Sequence, residues 1–134
     1  MDNSVIVYDL KNDQKKIEKV QKASLDKNSD YGLKIEDGLI YGTKDWFDSI
    51  NKGKQKKIVI NGFISKVYMS GHNDFPEFEI RNDNEVSTWE RLGNDDFYKI
   101  GKKIEITYVE QKFKKPSGIL GLYSKCVLEI KIEK

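Results

Sequence analysis

The sequence predicts a mainly β protein: a five-stranded small barrel or strongly bent antiparallel sheet with one or two short helices. Three observations predict it. Lys102 to Lys112 and Tyr123 to Glu133 alternate apolar with polar residues at period 2. Lys57 to Met69 is a long run, apolar on both alternating sets, with Gly62 near its middle, as a strand needs when it bends between two layers. Turn-forming clusters separate these runs, at Ser70 to Asp74, Asn82 to Glu85 and Pro116 to Gly118.

Taken in order, Ser4 to Leu10 is a short β-branched and aromatic run that reads as a strand. Asn12 to Asp26 contains helix formers, but its apolar positions are few: Ile17, Val20, Ala23 and Leu25. So thin a stripe predicts a marginal surface helix or a mobile segment. Residues 1–30 are therefore expected to form a peripheral N-terminal segment, strand plus marginal helix, beside a single β-rich domain over residues 31–134. Thr43 is placed to cap a helix through Asn51, with Asp45 in its first turn and Lys52-Gly53 as its stop. Trp46, Phe47 and Ile50 share one face of that helix, which predicts packing against a sheet.

Lys56 to Lys134 then supplies five strands. Lys57 to Met69 is the first. Phe75 to Arg81 alternates Phe78 and Ile80 with Glu77 and Glu79, and Pro76 stands at the strand start, where a missing N–H is tolerated. Val86 to Leu92 is a weaker strand around Trp89, and Gly93 to Ile100 predicts a helical turn before the two period-2 strands.

This order resembles an OB-fold barrel over Lys56 to Lys134, where Tyr98-Lys99-Ile100-Gly101-Lys102-Lys103-Ile104-Glu105-Ile106 looks like the Y-x-x-G-x-x-[VI]-x-[VI] lead-in to a late barrel strand. The resemblance implies a ligand across the strand 2–3 face, here Phe75 to Leu92.

Composition bounds the function. The 134 residues fit one domain, and the single cysteine, Cys126, excludes a disulfide framework and any CxxC site. No apolar stretch approaches the ~20 residues of a membrane helix, and a classical signal peptide is not expected, so a cytoplasmic protein is. The formal charge is +2, with 22 lysines and only Arg81 and Arg91, which points to surface solvation more than to a recognition face rich in bidentate forks. The charge is blocked all the same: His72 to Asp96 carries eight acidic residues against two arginines, and Gln111 to Lys134 carries six lysines against two glutamates.

His72, the sole histidine, stands in a turn near Asp74, Glu77 and Glu79, but zinc wants three or four ligands and no second histidine exists. Glu77, Glu79 and Glu90 read as carboxylates of a solvated sheet and not as a catalytic pair. Cys126 lies on the apolar set of the last strand, where a core thiol is expected and not a nucleophile. No glycine-rich phosphate loop occurs. Neither catalytic residues nor a cofactor or metal site is expected.

The aromatic residues carry the functional expectation. Tyr68, Phe75, Phe78 and Trp89 lie on the OB-like ligand face, among carboxylates. They predict a non-catalytic binding module that engages a protein or peptide partner through an acidic, aromatic sheet surface. Phe113 and Tyr123 flank a loop bearing Lys114 and Lys115, and aromatic platforms beside lysines suit single-stranded nucleic acid, the alternative reading. The acidic block opposes phosphates on the first surface.

Overall fold

The computed structural model describes residues 3–71, 74–83, 85–118 and 121–134. Its elements are β1 (Ser4–Asp9), α1 (Gln14–Leu25), α2 (Lys44–Asn51), β2 (Ile58–Met69), β3 (Pro76–Asn82), β4 (Glu85–Glu90), β5 (Lys103–Ser117) and β6 (Gly121–Glu133). The strands form one six-stranded antiparallel sheet in the order β1-β6-β5-β2-β3-β4. The five expected strands are present, and the N-terminal run adds a sixth by pairing antiparallel with β6, Ser4 opposite Glu133. The order leaves β1 and β4 as edges, so the sheet is open and the closed-barrel form of the prediction does not apply.

Two compact units divide the chain. The first comprises residues 1–9, 59–107 and 129–134. Its core is made by the inward faces of the strands: Ile64, Phe78, Ile80, Ile104, Ile106, Ile130 and Ile132 are all buried. Tyr98, from the Y-x-x-G segment, belongs to this core. Its ring lies 4.9 Å from that of Phe78, and its hydroxyl donates to the Leu92 carbonyl at 2.6 Å. Gly101 N–H donates to the Ile64 carbonyl and Ile64 N–H to Lys102, which ties the segment to β2. At Gly62 the neighbouring strand comes too close for a side chain: a Cβ there would lie 2.6 Å from the Arg81 carbonyl oxygen. The β2–β3 register shifts between Ile64 and Lys66, a β-bulge two residues beyond that glycine.

The second unit comprises residues 10–58 and 108–128. Here α2 forms as expected: Thr43 Oγ1 accepts from Trp46 N–H, and Trp46 and Ile50 are buried. Trp46 Nε1 donates to Gln111 Oε1 of β5 at 2.8 Å, so the indole is both packed and hydrogen-bonded.

The helix α1 is better fixed than its thin apolar stripe predicts. Ser24 Oγ donates to the Val20 carbonyl at 2.7 Å and accepts the Leu33 N–H at 2.9 Å. Lys114 Nζ donates to the carbonyls of Ala23 and Asp26 at the helix C-terminus, where a cation also opposes the negative end of the dipole. Polar clamps thus supply what the few apolar contacts do not.

Gly93 sits at φ 75°, and a Cβ on it would approach the Val7 carbonyl oxygen to 1.8 Å. Gly93→Ala is expected to cost about 2–3 kcal/mol through combined strain and displacement of that carbonyl. Urea unfolding of the variant beside the wild type checks this, and an unchanged midpoint contradicts it.

Candidate functional site

In the first unit, the register of the sheet β2–β3–β4 decides which side chains reach solvent. Paired positions run in rows across the three strands. Ile64–Ile80–Ser87 and Val67–Phe78–Trp89 face one way; Phe63–Arg81–Val86, Lys66–Glu79–Thr88 and Tyr68–Glu77–Glu90 face the other. The first set closes the core, with Phe78 at 0% and Trp89 at 7% exposure. On the outer set Phe63 is 50% and Val86 46% exposed.

The four aromatic residues expected to share a ligand surface are therefore split. Tyr68 stands on the outer face and Phe75 is exposed just before β3, but Phe78 and Trp89 point inward. Alternation explains the division, because Phe78 and Trp89 are direct cross-strand partners on the face opposite to Glu77 and Glu90. Two further apolar residues, Phe63 and Val86, are exposed on this face and are not among those expected from the sequence. Phe63 was hidden by the uniformly apolar character of β2, and Val86 by the weakness of β4.

The outer carboxylates are not equivalent. Glu79 is 8% exposed and fully engaged: Ser65 Oγ donates to it at 2.8 Å, and Lys66 and Arg81 approach to 3.8 and 3.7 Å. Glu77 and Glu90 lie directly opposite one another, and no described cation lies within ion-pair distance of either. Loss of water and then the Glu77 carboxylate beside it raise the Tyr68 phenol above its ordinary pKa, so the phenol stays a neutral donor to Glu77.

At the end of these strands Arg91 is a positioning group. Its Nη1 pairs with Asp95 at 3.0 Å, and its Nη2 donates to the Tyr68 carbonyl at 3.1 Å. His72 lies outside the described residues. Among the described residues no group of three His, Cys, Asp or Glu is placed to hold a metal. Nor, among them, is any helix long and apolar enough to cross a membrane.

In the second unit the residues chosen for nucleic acid have other duties. Lys114 caps α1, and Lys115 pairs with Asp30 at 3.2 Å. Phe113 is half-buried in β5 and forms a bridge with Leu33. Of Phe113 and Tyr123 only Tyr123 is exposed, on a groove of about 780 Å³ lined also by Lys34, Lys54, Lys56, Lys112 and Glu36. Within the groove Glu36 is already shared by Lys34 and Lys112, at 3.9 and 3.8 Å. An aromatic platform beside free lysines is thus not assembled at Phe113 to Lys115, and the nucleic-acid reading has no support from them.

Cys126 is buried as expected, and burial pushes its thiol up to about 11, against smaller opposing effects of the Ser124 hydrogen bond and Lys16.

Fold and surface together define a small open-sheet β protein that buries Phe78 and Trp89 in its core and leaves Phe63, Tyr68 and Phe75 on the acidic side. The chain belongs to the family of immunity proteins described as Immunity protein RhsI2, whose model matches residues 4–133. No curated protein matches the sequence.

The thiol yields an alkaline prediction. The folded pKa lies above the ordinary value of 9.0, so between pH 9.0 and about 11 the native state holds more protons than the unfolded chain. Stability is expected to fall as pH rises through that window, by up to about 1.4 kcal/mol per pH unit from this group. Denaturant titrations at pH 8, 9, 10 and 11 check it. Cys126→Ala is expected to flatten the slope, and an equally steep variant contradicts the assignment.

Proposed function

We propose that this chain is an immunity protein that neutralises a protein toxin by binding it, with no catalysis of its own, through the acidic, aromatic outer face of β2, β3 and β4. The observation that carries this reading is family membership over nearly the whole chain, joined to a face with both elements of a docking surface. Phe63 and Val86, about half exposed, offer apolar area that a partner can desolvate. Around them stand Glu77 and Glu90, carboxylates that no described cation answers.

The charge of the unit supports the same choice of partner. The first unit holds 13 acidic against 8 basic residues, a net −5, although the whole chain is +2. A negative unit attracts a basic toxin surface, raising the rate of encounter, while the apolar centre sets how long the complex lasts. Inhibition then follows from occupancy. A toxin whose working surface is covered, or held in an inactive arrangement, is silenced for as long as it stays bound.

The test pairs the purified chain with its cognate toxin domain, by calorimetry and by growth of cells expressing the toxin with and without the chain. The expected outcome is a 1:1 complex and restored growth. Phe63→Ala is expected to weaken binding about 10- to 100-fold at unchanged thermal stability, in keeping with loss of a central apolar contact. Growth protection without a complex, or a toxin recovered chemically altered, contradicts the reading.

A further inference from the structure

The two edges of the sheet are treated differently. The β1 edge is blunted. Its register with β6 shifts between Ile6 and Tyr8, and the segment after β4 leans on it, with Asn94 N–H donating to the Val7 carbonyl at 3.2 Å. Gly93 lies so close to that carbonyl that no side chain fits between them. A bulge and a covering loop are the usual means by which proteins keep an edge from recruiting another strand.

The β4 edge has neither. Its register with β3 runs from Asn82↔Glu85 to Glu77↔Glu90 without a shift, and among the described residues β4 pairs with β3 alone. Glu85–Glu90 reads EVSTWE, with no proline or lysine to discourage pairing. The direction of its amides follows from one bond. Arg91 N–H donates to the Pro76 carbonyl, so in this antiparallel pair residues of that parity turn toward β3. The N–H and C=O groups of Val86, Thr88 and Glu90 therefore turn away from β3, and all three residues are exposed.

We infer that β4 is where the partner assembles, an extended basic segment of the toxin adding to the sheet as a seventh strand against Val86, Thr88 and Glu90. This deepens the reading above and rests on it. Backbone pairing supplies affinity in strand addition, and the side-chain rows supply selectivity. Each outer row ends at β4 and would be continued by one residue of the incoming strand. Beside Phe63–Arg81–Val86 that residue meets a mostly apolar end. Beside Tyr68–Glu77–Glu90 it meets two directly opposed carboxylates.

Like charges facing each other across strands destabilise a sheet, and a Lys or Arg from the partner removes that repulsion on binding. A second copy of this chain is the weaker occupant, because β4-to-β4 pairing brings together two units of net −5.

The experiment is hydrogen–deuterium exchange on the full chain, alone and with the cognate toxin domain, followed by binding of three variants. The expected result is slowed exchange at Val86, Thr88 and Glu90 in the complex, with β1 unchanged. Thr88→Pro removes one outward donor while leaving the bonds to β3, and is expected to lower affinity about tenfold or more; Thr88→Val keeps the donor and binds as wild type. Circular dichroism and melting report whether Thr88→Pro folds. If it does not, Glu90→Lys, expected to weaken binding by a similar factor, takes its place. A tight complex with β4 amides unprotected and both variants at wild-type affinity overturns strand addition but leaves toxin binding standing. No complex at all overturns both. A dimer by light scattering with β4 protected before toxin is added assigns the edge to a second copy and overturns the inference.

Discussion

Alternation of side chains across three registered strands, interrupted once by the bulge in β2, is the constraint on which the rest of the first unit depends. Once Ile64, Phe78, Ile80 and Trp89 are committed to the core, their neighbours Phe63, Glu77, Glu79 and Glu90 have one place to go. The outer face is thus the reverse side of the core. A one-residue slip in the β2–β3 register would exchange the two faces. The close approach of Gly62 to Arg81 and the bulge at Ile64/Lys66 fix where that register begins.

Charge separates along the same lines. The second unit carries 16 basic against 9 acidic residues, a net +7, opposite in sign to the first. Several of these lysines are consumed internally: Lys114 on the C-terminal carbonyls of α1, Lys115 on Asp30, and Lys34 and Lys112 on Glu36. The carboxylates of the first unit are used less evenly. Glu79 is engaged by Ser65, Lys66 and Arg81, whereas Glu77, which accepts from Tyr68, and Glu90 lie opposite one another with no described cation within ion-pair distance.

Much of the architecture was legible because it rests on local patterns. The period-2 runs became β5 and β6, and Thr43 with Trp46 and Ile50 announced α2. What was not legible depends on distant residues. Order in α1 comes from Leu33 and from Lys114, whose bond spans 91 positions in sequence, and no local stripe reports such a clamp. The site was half legible for a related reason. The acidic, aromatic character of the 68–90 region is written in its composition, but assigning Phe78 and Trp89 to the inside needs the strand register. In β2, where both alternating sets are apolar, nothing local marks Phe63 as the residue that turns outward. Lys114 and Lys115 looked available because their carbonyl and carboxylate partners lie far away in the chain.

The central claim, that a protein partner is held on the outer face of β2–β3–β4, is tested most directly by amide and methyl chemical-shift mapping of the labelled chain on titration with its cognate toxin domain. The account predicts that the largest changes cluster at Phe63, Tyr68, Glu77, Arg81, Val86 and Glu90, while the groove around Lys54, Lys56 and Tyr123 is undisturbed. Changes confined to that groove, with the outer face silent, would contradict it.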